Sequence, residues 1–187
     1  MFSRLLLAFI FSCVLGAHAF ADDARSPRRY PLPRIGQLEL TMPAEWKDQL
    51  RQPPSGLPPT ITLAPATGNA FQVLITPLWA VRPGVVVPGN EEMRQMAARA
   101  ADKARPQAVE QVIPVRDIVG ATGRGYYFTA TDKAPKPGEF KYLAQGIIRV
   151  GEIALMFTAL TNDSSGAALS STLDMLKGAR HVAPQVP

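Results

Sequence analysis

Three segments decide the fold: Gly125-Tyr-Tyr-Phe-Thr-Ala-Thr131, Phe140-Lys-Tyr-Leu-Ala-Gln-Gly-Ile-Ile-Arg-Val150 and Ile153-Ala-Leu-Met-Phe-Thr-Ala-Leu-Thr161. Each is rich in β-branched and aromatic residues, and no helical pattern lies between them. In the first, Tyr126 and Phe128 share one face and Tyr127 and Thr129 the other, the period of a strand. The loop Asp132-Lys-Ala-Pro-Lys-Pro-Gly-Glu139 joins the first segment to the second, and Gly151 turns the chain into the third. Strands in series with short turns form an antiparallel sheet, because a parallel neighbour needs a long crossover.

Upstream, Gly120-Ala-Thr-Gly-Arg-Gly125 resembles a phosphate-binding loop in glycine spacing, but it leads into the strand sequence Tyr126-Tyr-Phe-Thr129, and a phosphate loop must open a helix. It reads as a turn between antiparallel strands. Val112 to Val119 is strand-like despite Pro114, which predicts an edge position or a strand start. Before it, Asn90 can cap a helix whose positive end suits Glu91 and Glu92. Met93, Met96, Ala97, Ala100 and Ala104 form its apolar stripe, and Pro106 ends it.

Further upstream, Gln37 to Thr41 reads as a short strand ending in a turn at Pro43-Ala44-Glu45-Trp46. Arg51 to Pro59 is a proline-rich surface loop. Thr60 to Leu63 and Ala70 to Thr76 form a hairpin whose Phe71, Val73 and Ile75 point into the core. A last helix is predicted over roughly 164–179, capped by Asn162 or Asp163, with Leu169, Leu173 and Leu176 at helical spacing. Asn162-Asp-Ser164 also matches a glycosylation triplet, but a helix cap accounts for it. The class is therefore α+β: a single-domain α/β/α sandwich around a mainly antiparallel sheet, over residues 36–180.

Before that domain, Arg4 precedes an apolar run from Leu5 to Leu15 and the small-residue series Ala17-His18-Ala19-Phe20-Ala21. This is the pattern of a signal peptide over residues 1–21, cut after Ala19 or Ala21, and the run is too short to span a bilayer. The protein is expected to be exported, into a periplasm or beyond. Cys13 within Ile10-Phe11-Ser12-Cys13 is a poor lipidation site, because Phe11 is bulky where a small residue is needed. Cleavage removes the sole cysteine and one of two histidines. Without thiols the exported chain has no disulfides, so packing alone must hold it.

The net charge of +5 is concentrated near the expected cleavage site. Arg25, Arg28, Arg29 and Arg34 alternate with Pro27, Pro31 and Pro33, so residues 22–35 read as an extended, solvated basic segment able to touch an anionic envelope surface. Nucleic acid is excluded as a partner, since no aromatic stripe accompanies the arginines. His181, in a C-terminal tail over 181–187, reads as solvated.

Catalytic patterns are missing from the sequence: it holds no nucleophile elbow, no zinc-binding helix motif and no nucleotide loop. The carboxylates Glu39, Asp117 and Glu152 are scattered. No enzyme activity, cofactor or metal is expected. Trp46 reads as core at a sheet edge. Trp79, with Val81, Val85, Val86 and Val87 in an apolar loop, reads as a partner-binding patch if the loop is exposed and as a lid on the core if it folds back; the patch is the candidate site, with the Pro53 to Pro59 loop as a second surface.

The order of elements, opening on Leu38-Glu-Leu-Thr-Met-Pro-Ala-Glu-Trp46 and closing on a hairpin and a helix, resembles the PsbP-like fold over residues 36–180. That group includes photosystem lumenal accessory proteins, Ran-binding nuclear transport factors and bacterial DcrB-like exported proteins. The resemblance implies a sandwich around an antiparallel sheet and action by binding other proteins, without a shared catalytic site. The expected function is thus a non-catalytic accessory protein that binds a protein or an envelope component. The alternative is a small-ligand binder with a pocket between sheet and helix lined by Tyr126, Tyr142 and Met156.

Overall fold

The computed structural model describes residues 25–53, 57–80 and 86–184. The expected signal peptide therefore lies outside the described residues. So do Val81 and Val85 of the apolar loop and the middle of the Pro53 to Pro59 loop.

The chain runs through strands β1 (Arg25–Leu32), β2 (Gly36–Pro43), β3 (Trp46–Arg51), β4 (Thr60–Pro65) and β5 (Phe71–Leu78), then helix α1 (Asn90–Ala104). Next come β6 (Arg116–Val119), β7 (Arg124–Thr131), β8 (Tyr142–Val150) and β9 (Ile153–Thr161), then α2 (Ala167–Lys177) and β10 (Arg180–Val182). Seven strands form one sheet in the order β3-β4-β5-β9-β8-β7-β6, and three form a second in the order β1-β2-β10. Every pairing between these strands is antiparallel. The α+β class and the antiparallel sheet are those the sequence predicts. The predicted edge position of the proline-preceded segment is also observed, as the short edge strand β6, and the glycine-rich turn joins it to β7 through a Gly120 N–H to Gly123 carbonyl bond of 2.8 Å.

The alternation of side chains divides the large sheet into two faces. On one, Met93, Ala97 and Ala101 of α1 are buried against Tyr126, Phe128, Ile147 and Ala154. On the other, Val73, Ile75, Ile148, Leu155 and Phe157 join Leu38, Leu40 and Met42 of β2 and Met175 and Leu176 of α2 in the main core. The second layer is therefore shared by α2 and the small sheet. Trp46 is buried in edge strand β3, its ring 4.5 Å from that of Phe71, as expected of a core tryptophan at a sheet edge.

Four sequence expectations need correction. Of the segment read as a solvated leader, residues 25–32 are a strand: β1 pairs along its whole length with β2 and buries Tyr30 and Leu32. The domain thus begins before residue 36. It also extends past 180, since His181 and Val182 belong to β10, and the His181 imidazole is half-buried with Nε2 2.7 Å from the Ile35 carbonyl oxygen. Residues 47–51 carry no regular element in the sequence reading, yet they form β3, because the Pro43 turn returns the chain against β4. Finally, Gly89 rather than Asn90 occupies the cap of α1, with no side-chain bond.

α2 starts later than the sequence predicts, at Ala167, with Gly166 rather than Asn162 or Asp163 in the cap position, and Asp163 acts from three residues before it. Its carboxylate accepts bonds from the Ser165 hydroxyl at 2.7 Å, the Ser165 N–H at 2.8 Å and the Ala167 N–H at 3.1 Å. The Ser165 hydroxyl, with these amides, holds the Asp163 carboxyl below the usual carboxylate range. Asn162 turns elsewhere and accepts the Lys141 N–H at 2.8 Å.

Candidate functional site

A groove of about 240 Å³ opens on the α2 side of the large sheet. Register builds its floor. Thr129, Ala144, Ala159 and Val73 stand side by side on β7, β8, β9 and β5, and the next row toward the sheet end is Thr131, Tyr142, Thr161 and Phe71. Small residues in the first row leave the space, because alanine and threonine do not reach the layer above. Ala168, Leu169 and Thr172 of α2 make one wall, and Glu110 and Arg116, before and within β6, stand at the other.

The charged groups around the groove differ in how they are engaged. Glu110 accepts the Thr131 N–H at 2.9 Å and the Thr131 hydroxyl at 2.7 Å. Partial burial pushes its carboxyl up, but the two Thr131 bonds outweigh that and hold it below the usual carboxylate range. Asp163 is occupied in capping α2. Arg116 is exposed and has no ion-pair partner among the described residues. Thr161 and Thr172 spend their hydroxyls on the carbonyls of Ala70 and Ala168. The groove is thus an apolar floor with a hydroxylated margin whose carboxylates are already committed, and it presents no nucleophile paired with a base. Among the described residues no group of three or more His, Cys, Asp or Glu is placed to hold a metal ion.

The residues of the expected ligand pocket fall on both faces of the sheet. Tyr142 lines the groove, whereas Tyr126 is buried beneath α1 with Arg94 5.8 Å above its ring. Met156 borders a smaller recess of about 70 Å³ between α1 and the sheet. Period two explains the split: Tyr142 faces α2, while Met156 and Ile147, which are paired in register, face α1.

The expected partner patch is divided as well. Trp79 is half-buried against the main core, Val87 packs beside α1, and Val86 is exposed. Of the arginines, Arg28 lies 3.5 Å from Asp48 of β3, and Arg29 pairs with Glu39 at 3.1 Å. Arg25 and Arg34 are exposed. Glu39, Asp117 and Glu152 stand on β2, on β6 and in the β8–β9 turn. Sequence reasoning missed Glu110, Arg116 and Thr131. The available signal was the face of β7 opposite Tyr126 and Phe128, where Thr129 and Thr131 are too small and polar to fill a core.

No family model matches the sequence, and no curated protein matches it. Among solved structures, the chain is similar to cyanobacterial PsbP (CyanoP) from Synechocystis, known from a solution structure. The TM-score is 0.52 at 9% identity, over 87% of this chain and 96% of that one. The fold is PsbP-like. A crystal structure from Bacteroides thetaiotaomicron is similar at a TM-score of 0.47 and 11% identity, over 80% of this chain and 46% of that protein, so the chain spans less than half of its length. At such identities the PsbP-like likeness concerns backbone architecture alone. Among the described residues no helix is long and apolar enough to cross a membrane.

Proposed function

We propose that this is an exported, non-catalytic accessory protein that works by binding another protein, and that the groove beside α2 receives an apolar side chain of that partner. The observation that carries the reading is the size and lining of the groove. Small-molecule sites occupy roughly 300–1,000 Å³, whereas about 240 Å³ over Val73, Ala144, Ala159 and Leu169 suits one or two anchoring side chains. Arg116 at the wall supplies a cation for the polar margin of such a contact. The signal-peptide pattern supports export. The PsbP-like fold agrees with action by binding, and the committed carboxylates agree with the absence of a reaction.

Filling the groove tests this. Thr129→Trp places an indole in existing space above Ala144 and should leave the melting temperature close to that of the parent. In-cell crosslinking of the tagged protein should then capture one reproducible partner with the parent and with Val86→Ser, and lose it with Thr129→Trp. Loss with Val86→Ser alone would return the site to the Trp79 loop. A small molecule seen by native mass spectrometry, displaced by Thr129→Trp and unaccompanied by any protein, would replace the accessory reading with ligand binding.

A further inference from the structure

We propose that the outer face of the three-stranded sheet docks on an anionic lipid surface. The inference is independent of the groove. Because Tyr30 and Leu32 point into the core, the alternation of β1 turns Arg25, Pro27, Arg29 and Pro31 outward. Register adds a third arginine: Arg180 of β10 and Arg29 of β1 both stand opposite Glu39 of the central strand. Arg34 stands in the β1–β2 turn at the end of this sheet, in a left-handed conformation with φ of 70°. Arg25, Arg29, Arg34 and Arg180 are all exposed. Glu39 is the one acid among the β1, β2 and β10 residues, and Arg29 already engages it. The face with the turn that borders it therefore carries an excess of three positive charges.

The prolines and the other uncharged residues favour a lipid surface over a protein strand. Pro27 and Pro31 lack amide donors, so β1 is a poor template for an added strand. Between the arginines lie proline rings and Val182, which is 37% exposed, so the face offers uncharged groups as well as cations to a lipid surface. Guanidinium groups take lipid phosphates bidentately, and each basic residue near an anionic bilayer strengthens binding about fivefold.

The test uses the protein purified as the cell processes it, with vesicles of phosphatidylcholine alone or mixed with phosphatidylglycerol. Co-sedimentation should require phosphatidylglycerol and fall with added salt. Arg25→Ser with Arg180→Ser, which spares the Arg29–Glu39 pair, should weaken it by about twenty-fold. Arg99→Ser with Lys103→Ser makes the same change of charge on α1, across the large sheet, and should leave binding within about twofold. Equal loss in both double variants, binding to phosphatidylcholine alone, or retention in Arg25→Ser with Arg180→Ser would each overturn the proposal. Parent-like melting of both double variants guards against misfolding, and should either fail it, the single variant Arg25→Ser is to be read against Arg99→Ser.

Discussion

Tyr30 shows how one side chain fastens the small sheet to the large one. Its ring is buried beside Met42, and its hydroxyl donates to Asp48 of β3 at 2.9 Å, next to Arg28 on the same carboxylate. Burial, and then the Asp48 bond, push the phenol well above its ordinary value. A raised value means that folding stabilises the protonated phenol. Its contribution is complete below the unfolded value of about 10 and is lost as pH rises beyond it. Tyr30→Phe keeps the ring and removes the donor, which should cost about 1–2 kcal/mol at neutral pH. Denaturant melts should show that loss shrinking as the pH is raised past about 10. A loss that stayed constant into alkali would mean that the hydroxyl does not bridge the sheets.

Among the elements, β1 was the hardest to read and β7 to β9 the easiest. The latter have alternating apolar faces bounded by turns, and that pattern survives in the structure almost residue for residue. In β1, prolines and arginines mask the same alternation, and only Tyr30 and Leu32 mark the inner face. Proline is tolerated there because β1 is an edge strand, and nothing local reveals that β2 lies beside it. The groove was legible only in part for a related reason. Tyr142 is recognisable as a pocket residue from its strand, but placing it with Thr131, Thr161 and Asp163 requires the strand order, which no short stretch encodes. Leu32 tests the corrected role of β1. It is 2% exposed, so Leu32→Ala should cost about 2–5 kcal/mol by leaving a cavity, whereas in a solvated leader it would cost nothing measurable. Amide exchange should show β1 protected in the parent and less so in the variant. A melt unchanged by the substitution would return residues 25–32 to the status of a tether.

At the scale of the whole molecule, the question is whether two sheets make one cooperative unit. The main core is continuous: Leu38, Leu40 and Met42 of the small sheet, Leu155 and Phe157 of the large one and Met175 and Leu176 of α2 belong to one buried cluster. The α1 side is physically separate, since the large sheet lies between, and its own clusters centre on Met93 and Ala101. Both layers nonetheless share the backbone ladders of β7, β8 and β9, because each strand contributes alternate residues to each face. Loosening α1 should therefore weaken the strands that carry the main core. With a single cysteine in the sequence no disulfide can form within the chain, so these ladders and the packing on either side are what couple the layers. Met93→Ala, at a fully buried position on the sheet-facing side of α1, should cost about 2–5 kcal/mol. The same free-energy loss should appear in far-ultraviolet dichroism, in the fluorescence of Trp46 and Trp79 on the opposite face, and in the slow amide exchange of β1. Coincident shifts would establish one unit from Arg25 to Val182. If dichroism shifted while the tryptophan transition and the β1 amides stayed in place, the α1 layer would be unfolding alone, and the small sheet with the inner face of the large one would be an independent core.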